Sequence, residues 1–259
     1  MKGNVPMIVW QDHGPISIAT INRPERRNAL NEALCGDLVD GLASRGGSRC
    51  VILTGEGTAF CAGADLVTRF DGEGVRDTFR PAFTALLDAM GMFPGVIIAA
   101  INGPALGAGT QLAVGCDLRV AGPDVVMGIP AVNIGLMLDP SNVERLVATI
   151  GMASAKELLL TGERIDPETA KSIGLVHRLA DDPVAAALAW AENISTKAPL
   201  SVAGHKQLVH LAAGIRPLAR GEDPATIAED YVDAAFTSDD VAEGLAAFAE
   251  KRRPTFTGR

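Results

Sequence analysis

The chain has 259 residues, 47% of them apolar, with a formal charge of −8 at pH 7 and an isoelectric point near 5.0. That length holds one large domain or a domain with a small appendage, and the acidic balance argues against a nucleic-acid binder, which shows a basic face. Four cysteines without C-x-x-C spacing, no signal-peptide pattern at the start and no apolar run of about 18 residues lead us to expect a reduced, cytoplasmic protein without a membrane span.

In chain order, Met7–Gln11 and Ile16–Ile21 read as short strands joined by the hairpin signal Asp12-His13-Gly14. Arg23 to Asn28 is a polar loop. Ala29 to Leu42 carries Leu30, Leu34, Leu38 and Leu42 at helical spacing. Cys50–Thr54 is the next strand. Arg76 to Met92 predicts a helix with Phe79, Phe83, Leu86, Leu87 and Met90 near one face, ended by Phe93-Pro94-Gly95. Strands follow at Val96–Ile101, Leu118–Ala121 and Val125–Gly128, then helices at Asn142–Ile150, Ser154–Leu160 and Pro167–Ile173. This alternation predicts an α/β protein with a partly parallel sheet covered by helices. From Pro183 onward only helical patterns remain, at 184–197, 200–213, 224–237 and 239–251. The chain therefore divides into residues 1–182 and an all-helical module, residues 183–259, with no Gly/Pro linker between them.

The chain is organised around Ile101-Asn102-Gly103-Pro104-Ala105-Leu106-Gly107-Ala108-Gly109-Thr110-Gln111-Leu112. An apolar strand enters this stretch and a helix leaves it. Small residues let a ligand approach the backbone, and amides at a helix start suit an oxygen gaining negative charge. A second strand-to-turn stretch, Val51 to Phe60 followed by Cys61-Ala62-Gly63-Ala64-Asp65-Leu66, can supply another amide to the same oxygen.

With these two turns, Asn22-Arg23-Pro24, Asn28-Ala29-Leu30-Asn31, Cys116-Asp117-Leu118-Arg119 and Glu250-Lys251-Arg252-Arg253-Pro254, the chain resembles the crotonase superfamily, the enoyl-CoA hydratase/isomerase family, over nearly its whole length. The resemblance implies a core of repeated β-β-α units and a helical C-terminal module used for oligomerisation, in homotrimers often paired into hexamers. It implies an acyl-CoA or enoyl-CoA thioester as ligand, with coenzyme A entering as part of the substrate, and neither a separate cofactor nor a metal. It puts the oxyanion hole at the amides of Ala64 and Ala108, with Gln111, Ala131 and Leu136 at the substrate pocket. It puts coenzyme A against Arg26, Arg27, Ala62, Asp65 and Leu66, with Phe248 and Lys251 completing a neighbouring subunit's site.

One departure stands out. Hydratases of the family carry glutamates at the positions that are Gln111 and Ala131 here. Glutamine exchanges no proton near neutral pH, and hydration needs groups to deprotonate water and protonate carbon. Asp139 stands where isomerases of the superfamily carry an aspartate, and double-bond migration needs a single base. Leu136, Met137 and Leu138 predict an apolar setting for it. Asp139 also fits a helix N-cap, with Pro140 first in the helix, although Ser141-Asn142-Val143-Glu144 offers a rival capping box. The readings that follow are an isomerase with Asp139 as acid/base, a non-catalytic acyl-CoA binder, and a hydratase with displaced groups.

Overall fold

Cys50–Gly55 (β3) and Val96–Ile101 (β4) are buried along their whole length, as strands covered on both faces must be. The computed structural model describes residues 6–65 and 78–259. Its main sheet has six strands in the order β1 (Ile8–His13), β2 (Ile16–Ile21), β3, β4, β6 (Leu118–Ala121) and β9 (Arg178–Leu179). The β1/β2 hairpin is antiparallel, and every other pairing in this sheet is parallel. A second sheet joins β5 (Ala105–Leu106), β7 (Met127–Gly128) and β8 (Arg164–Ile165).

The alternation of strand side chains divides the core in two. Val51, Leu53, Ile97, Ala99 and Ile101 face α1 (Glu32–Ala43), α2 (Phe79–Met92) and α3 (Ala108–Gly115). Cys50, Ile52, Val96, Ile98 and Ala100 face α6 (Pro183–Ser195), which buries Ala187 and Ala191 against them. The first helix of the expected C-terminal module is thus the cover of the sheet's second face. Beyond it, α7 (Pro199–Ala212) packs on α2 and on α8 (Pro224–Phe236), and α8 contacts α9 (Asp239–Glu250).

Local chemistry sets the helix ends. Asn31 caps α1 by accepting from Leu34 N at 2.9 Å, and Asp182 caps α6 through Val184 N and Ala185 N. The two helices expected around Gly151 form one element, α4 (Pro140–Thr161), kinked where Gly151 takes φ 74°. Beyond α4 and β8, α5 (Pro167–Ser172) leads into β9. Asp117 accepts from Ile97 N at 2.7 Å and Lys206 Nζ at 2.9 Å, which fixes the start of β6 to that of β4.

Candidate active site

β3 and β4 lie side by side and parallel, so the turns that leave them open at the same edge of the sheet. Asn102 fastens them together. Its amide donates to Gly55 O at 2.8 Å and Gly57 O at 3.0 Å, and its oxygen accepts from Gly55 N at 3.2 Å. Asn28 ties the turn after β3 to the loop after β2. It is fully buried, and its Nδ2 donates to Ala59 O at 2.7 Å and Glu56 O at 3.0 Å.

The turns then interlock through their backbones. Cys61 N donates to Pro104 O at 3.2 Å, and Leu106 N donates to Cys61 O at 3.0 Å. Gly63 sits at φ 110°, and a Cβ built on it would lie 2.9 Å from Leu106 O and 3.7 Å from Ala108 N. A side chain there would wedge the turns apart, so glycine is required on both counts. Gly109 meets the carbonyl of Cys61 even more closely.

Backbone hydrogen bonds hold the two sequence-predicted positions in place. Leu30 N donates to Gly63 O at 2.8 Å, Asp65 N to Leu30 O at 2.7 Å, and Gly107 N to Gly128 O at 2.8 Å. The N–H groups of Ala64 and Ala108 donate to no acceptor among the described residues. Ala108 opens α3, where the first N–H groups have no helical partner and the dipole is positive. Two unengaged donors from interlocked turns can hold an oxygen that becomes negative.

The loop beneath Ala64 is anchored by charge. Arg23 Nη2 reaches Asp65 Oδ2 at 2.9 Å, and Arg23 Nη1 donates to Ala29 O at 2.5 Å. The Asp65 side chain is only 4% exposed. Its carboxylate therefore positions the loop, as well as lying beside the expected coenzyme A path. Arg26 and Arg27 are exposed on a short 3-10 turn, Pro24–Arg26, and Arg27 takes a left-handed φ of 49°. Ala62 N donates to Arg27 O at 2.9 Å, which ties Arg27 to the turn that holds Ala64. Leu66 lies outside the described residues. Phe248 and Lys251 are exposed at the end of α9, and Phe248 is 85% exposed.

Gln111 follows Ala108 by three residues on α3 and is half-buried. Ala131 and Leu136 are also half-buried. Ala131 lies in a 3-10 segment, Pro130–Ile134, and its carbonyl accepts from Leu136 N at 2.9 Å. Asp139 occupies the N-cap position of α4, which begins at Pro140, so Ser141 is inside the helix and not its cap. Even so, the Asp139 carboxylate accepts no cap hydrogen bond. It is held by Arg80 of α2, Nη2 to Oδ1 at 2.6 Å and Nε to Oδ2 at 3.2 Å. The expected apolar setting is corrected in one respect: Met137 is 91% exposed, pointed away by the turn at Gly135, and only Leu136 and Leu138 are partly buried.

Arg80 and Arg145 escaped the sequence reading, whereas the resemblance had Asn142 in place of a small glycine, reshaping the acyl pocket. Arg80 looks like any charge on an amphipathic helix, and nothing local marks it as the partner of a residue 59 positions away. Arg145 and Asn142 of α4 are buried beside Gln111, Leu87, Val114 and Leu146. The only signal for Arg145 was polar residues recurring at helical spacing on a face that also carries Leu146. His177, in contrast, has a packing role. Its Nδ1 accepts from Arg119 N at 3.2 Å, and burial and the Arg119 charge push its pKa down to about 4.

Comparison with known proteins gives this arrangement a family. The enoyl-CoA hydratase/isomerase family model matches residues 12–259. The probable enoyl-CoA hydratase echA6 of Mycobacterium tuberculosis is 38% identical over 240 residues, covering 92% of this chain and 94% of that protein. The enoyl-CoA isomerase/hydratase fer4 of Mycosarcoma maydis is 33% identical over 254 residues, 92% of this chain and 91% of its own. The crystal structure of an enoyl-CoA hydratase from Bacillus anthracis superposes with a TM-score of 0.87 at 32% identity, covering 98% of this chain and all of the other. A crotonase fold with two interlocked small-residue turns, matched over its length by these relatives, makes the chain a member of the enoyl-CoA hydratase/isomerase family.

Proposed function

We propose that this protein binds enoyl-CoA thioesters and moves their double bond, with Asp139 as the single acid/base. The observation that carries the reading is the pair of unengaged amides, Ala64 N–H and Ala108 N–H, on interlocked turns. For a 3-enoyl thioester, Asp139 takes a proton from C2. The electron pair of that C–H bond spreads onto the thioester oxygen, held by the two amides. The same proton returns at C4, leaving the double bond between C2 and C3. Each amide donor in such a site is worth on the order of 3 kcal/mol of barrier, and the positioned carboxyl group about 10²–10⁴ in rate. The fer4 relative, whose name includes isomerase activity, supports this reading.

Arg26 and Arg27 are the candidate phosphate contacts, since guanidinium groups bind phosphate well. Ala62, Asp65 and Leu66 would lie along the coenzyme, with Phe248 and Lys251 reaching a neighbouring subunit of a homotrimer or hexamer. The exposed Phe236, Leu245 and Phe248 support such an assembly.

A second reading is an acyl-CoA binder without turnover. The two-point hold of Arg80 on Asp139 favours it, because the ion pair gives this carboxylate a structural part in joining α2 to the start of α4. One experiment separates the readings: thioester absorbance after mixing with a 3-enoyl-CoA and, separately, a 2-enoyl-CoA, with Asp139→Asn alongside. Conjugated thioester formed from the 3-enoyl compound, and lost in the variant, supports the isomerase. Loss of conjugation from the 2-enoyl compound, with 3-hydroxyacyl-CoA formed, supports hydration by displaced groups. Silence in both, with binding measurable by calorimetry, supports the binder.

A further inference from the structure

The geometry points to a hydrogen-bonding end-site for the acyl group, made by Arg145 and Asn142 of α4 next to Gln111, that selects acyl chains bearing a neutral hydroxyl beyond C3. The inference rests on the acyl-CoA reading above.

Two observations carry it. Arg145 Nη1 and Asn142 Oδ1 are buried and have no hydrogen-bond partner. Their residues are 7% and 4% exposed. Buried polar groups are nearly always paired, and an unpaired one costs about 1–3 kcal/mol. Both residues line the same small pocket as Gln111, Leu87, Val114 and Leu146, and that pocket is too narrow to admit a water molecule. The pocket adjoins the oxyanion turn. Gln111 lies three residues after Ala108 on α3, roughly 4.5 Å along the helix axis and on nearly the same face. In this proposal the fourth and fifth carbons of an acyl chain anchored at Ala108 are directed to this pocket, and Gln111, half-buried in its wall, has to turn aside to admit them.

The chemistry of the two orphans selects the ligand. Arg145 offers a donor and Asn142 an acceptor. A hydroxyl satisfies both at once, accepting from Nη1 and donating to Oδ1. A carboxylate can only accept. The charge of Arg145 is moreover already balanced, since its Nη2 donates to Asp88 Oδ1 at 2.5 Å. A neutral oxygen is the better complement.

Calorimetry on the intact protein tests this with matched pairs, 4-hydroxybutyryl-CoA against butyryl-CoA and 5-hydroxyvaleryl-CoA against valeryl-CoA, with succinyl-CoA as the carboxylate control. We expect at least one hydroxylated thioester to bind about tenfold tighter than its plain counterpart, from a new hydrogen bond to a charged donor. Asn142→Ala should erase that preference while keeping affinity for butyryl-CoA and the thermal midpoint. Equal binding within both pairs, or succinyl-CoA binding tightest, overturns the assignment. So does a lowered midpoint in Asn142→Ala with the preference intact, which would make Asn142 merely structural. If free coenzyme A and every thioester fail to bind, the acyl-CoA reading itself falls. Binding without discrimination removes only the end-site.

Discussion

Arg80 grips Asp139 at two points, its Nη2 2.6 Å from Oδ1 and its Nε 3.2 Å from Oδ2. The pair is lopsided in exposure: the Arg80 side chain is 59% exposed and that of Asp139 17%. An ion pair with so exposed a partner is worth at most about 1 kcal/mol. Arg80→Ala should therefore change the rate of 3-enoyl-CoA isomerisation by less than about tenfold. Asp139→Asn should lower it by about 10²–10⁴-fold, the full contribution of a positioned acid/base. Stopped-flow absorbance on both variants checks the contrast. Equal losses would make Asp139 a member of a structural ion pair and not a base.

The Arg23–Asp65 pair is enclosed, and its loss should be felt in the fold. Removing one partner of a buried pair costs about 3–5 kcal/mol. Arg23 is partly accessible, so we expect Arg23→Met near the lower end, about 3 kcal/mol, by denaturant unfolding. The same variant should bind acyl-CoA more weakly, since Asp65 directly follows the Ala64 amide.

Gly109 cannot carry a side chain without displacing the carbonyl of Cys61. Gly109→Ala should destabilise the protein by about 1–3 kcal/mol, the usual cost of overpacking. It should also abolish turnover, because the displaced backbone is that of the oxyanion turn. Gly36, which has open space around its Cβ position, serves as the control. Gly36→Ala, inside α1, should leave activity intact and stabilise the fold by about 0.5–1 kcal/mol.

Cys35, Cys50, Cys61 and Cys116 are buried free thiols. Burial pushes Cys35, Cys61 and Cys116 up to about 12 and Cys50 up to about 11. A thiol held protonated in the folded state while its unfolded form ionises near about 8.5 favours folding fully below that pH. The contribution then fades as pH rises toward the folded values. Stability should thus decline above about pH 8.5. At pH 8 a thiol reagent should modify the native protein far more slowly than the unfolded chain. Rapid native labelling would show that the thiols are not enclosed.

The central strands, the glycine turns and Ala108 were legible because strand patterning and small-residue turns are local signals. Helix boundaries shifted by a few residues where a cap decided them, as at Asn31, which starts α1 later than its leucine spacing suggests. The helix start at Asp139-Pro140 was legible, but the partner of the Asp139 side chain was not. Its side chain had two local fates in the sequence, and the observed one is a contact to α2, a residue far away in the chain. The unpaired atoms of Arg145 and Asn142 were hidden for the same reason, since orphaned polar atoms exist only once the surrounding helices have closed on them. The boundary drawn at residue 183 followed a change of pattern, whereas α6 belongs by its packing to the sheet.

In the proposed oxyanion hole Ala64 and Ala108 contribute main-chain N–H groups, a part that their methyl side chains do not share. No codon change at either position, short of one to proline, can delete the donor itself. The groups that would move protons are side chains at 111, 131 and 139, each replaceable by one substitution. On the proposed reading, thioester anchoring and proton transfer are thus inherited separately. A lineage built on such a site can gain, lose or exchange its reaction by drift at three positions while its grip on the thioester persists.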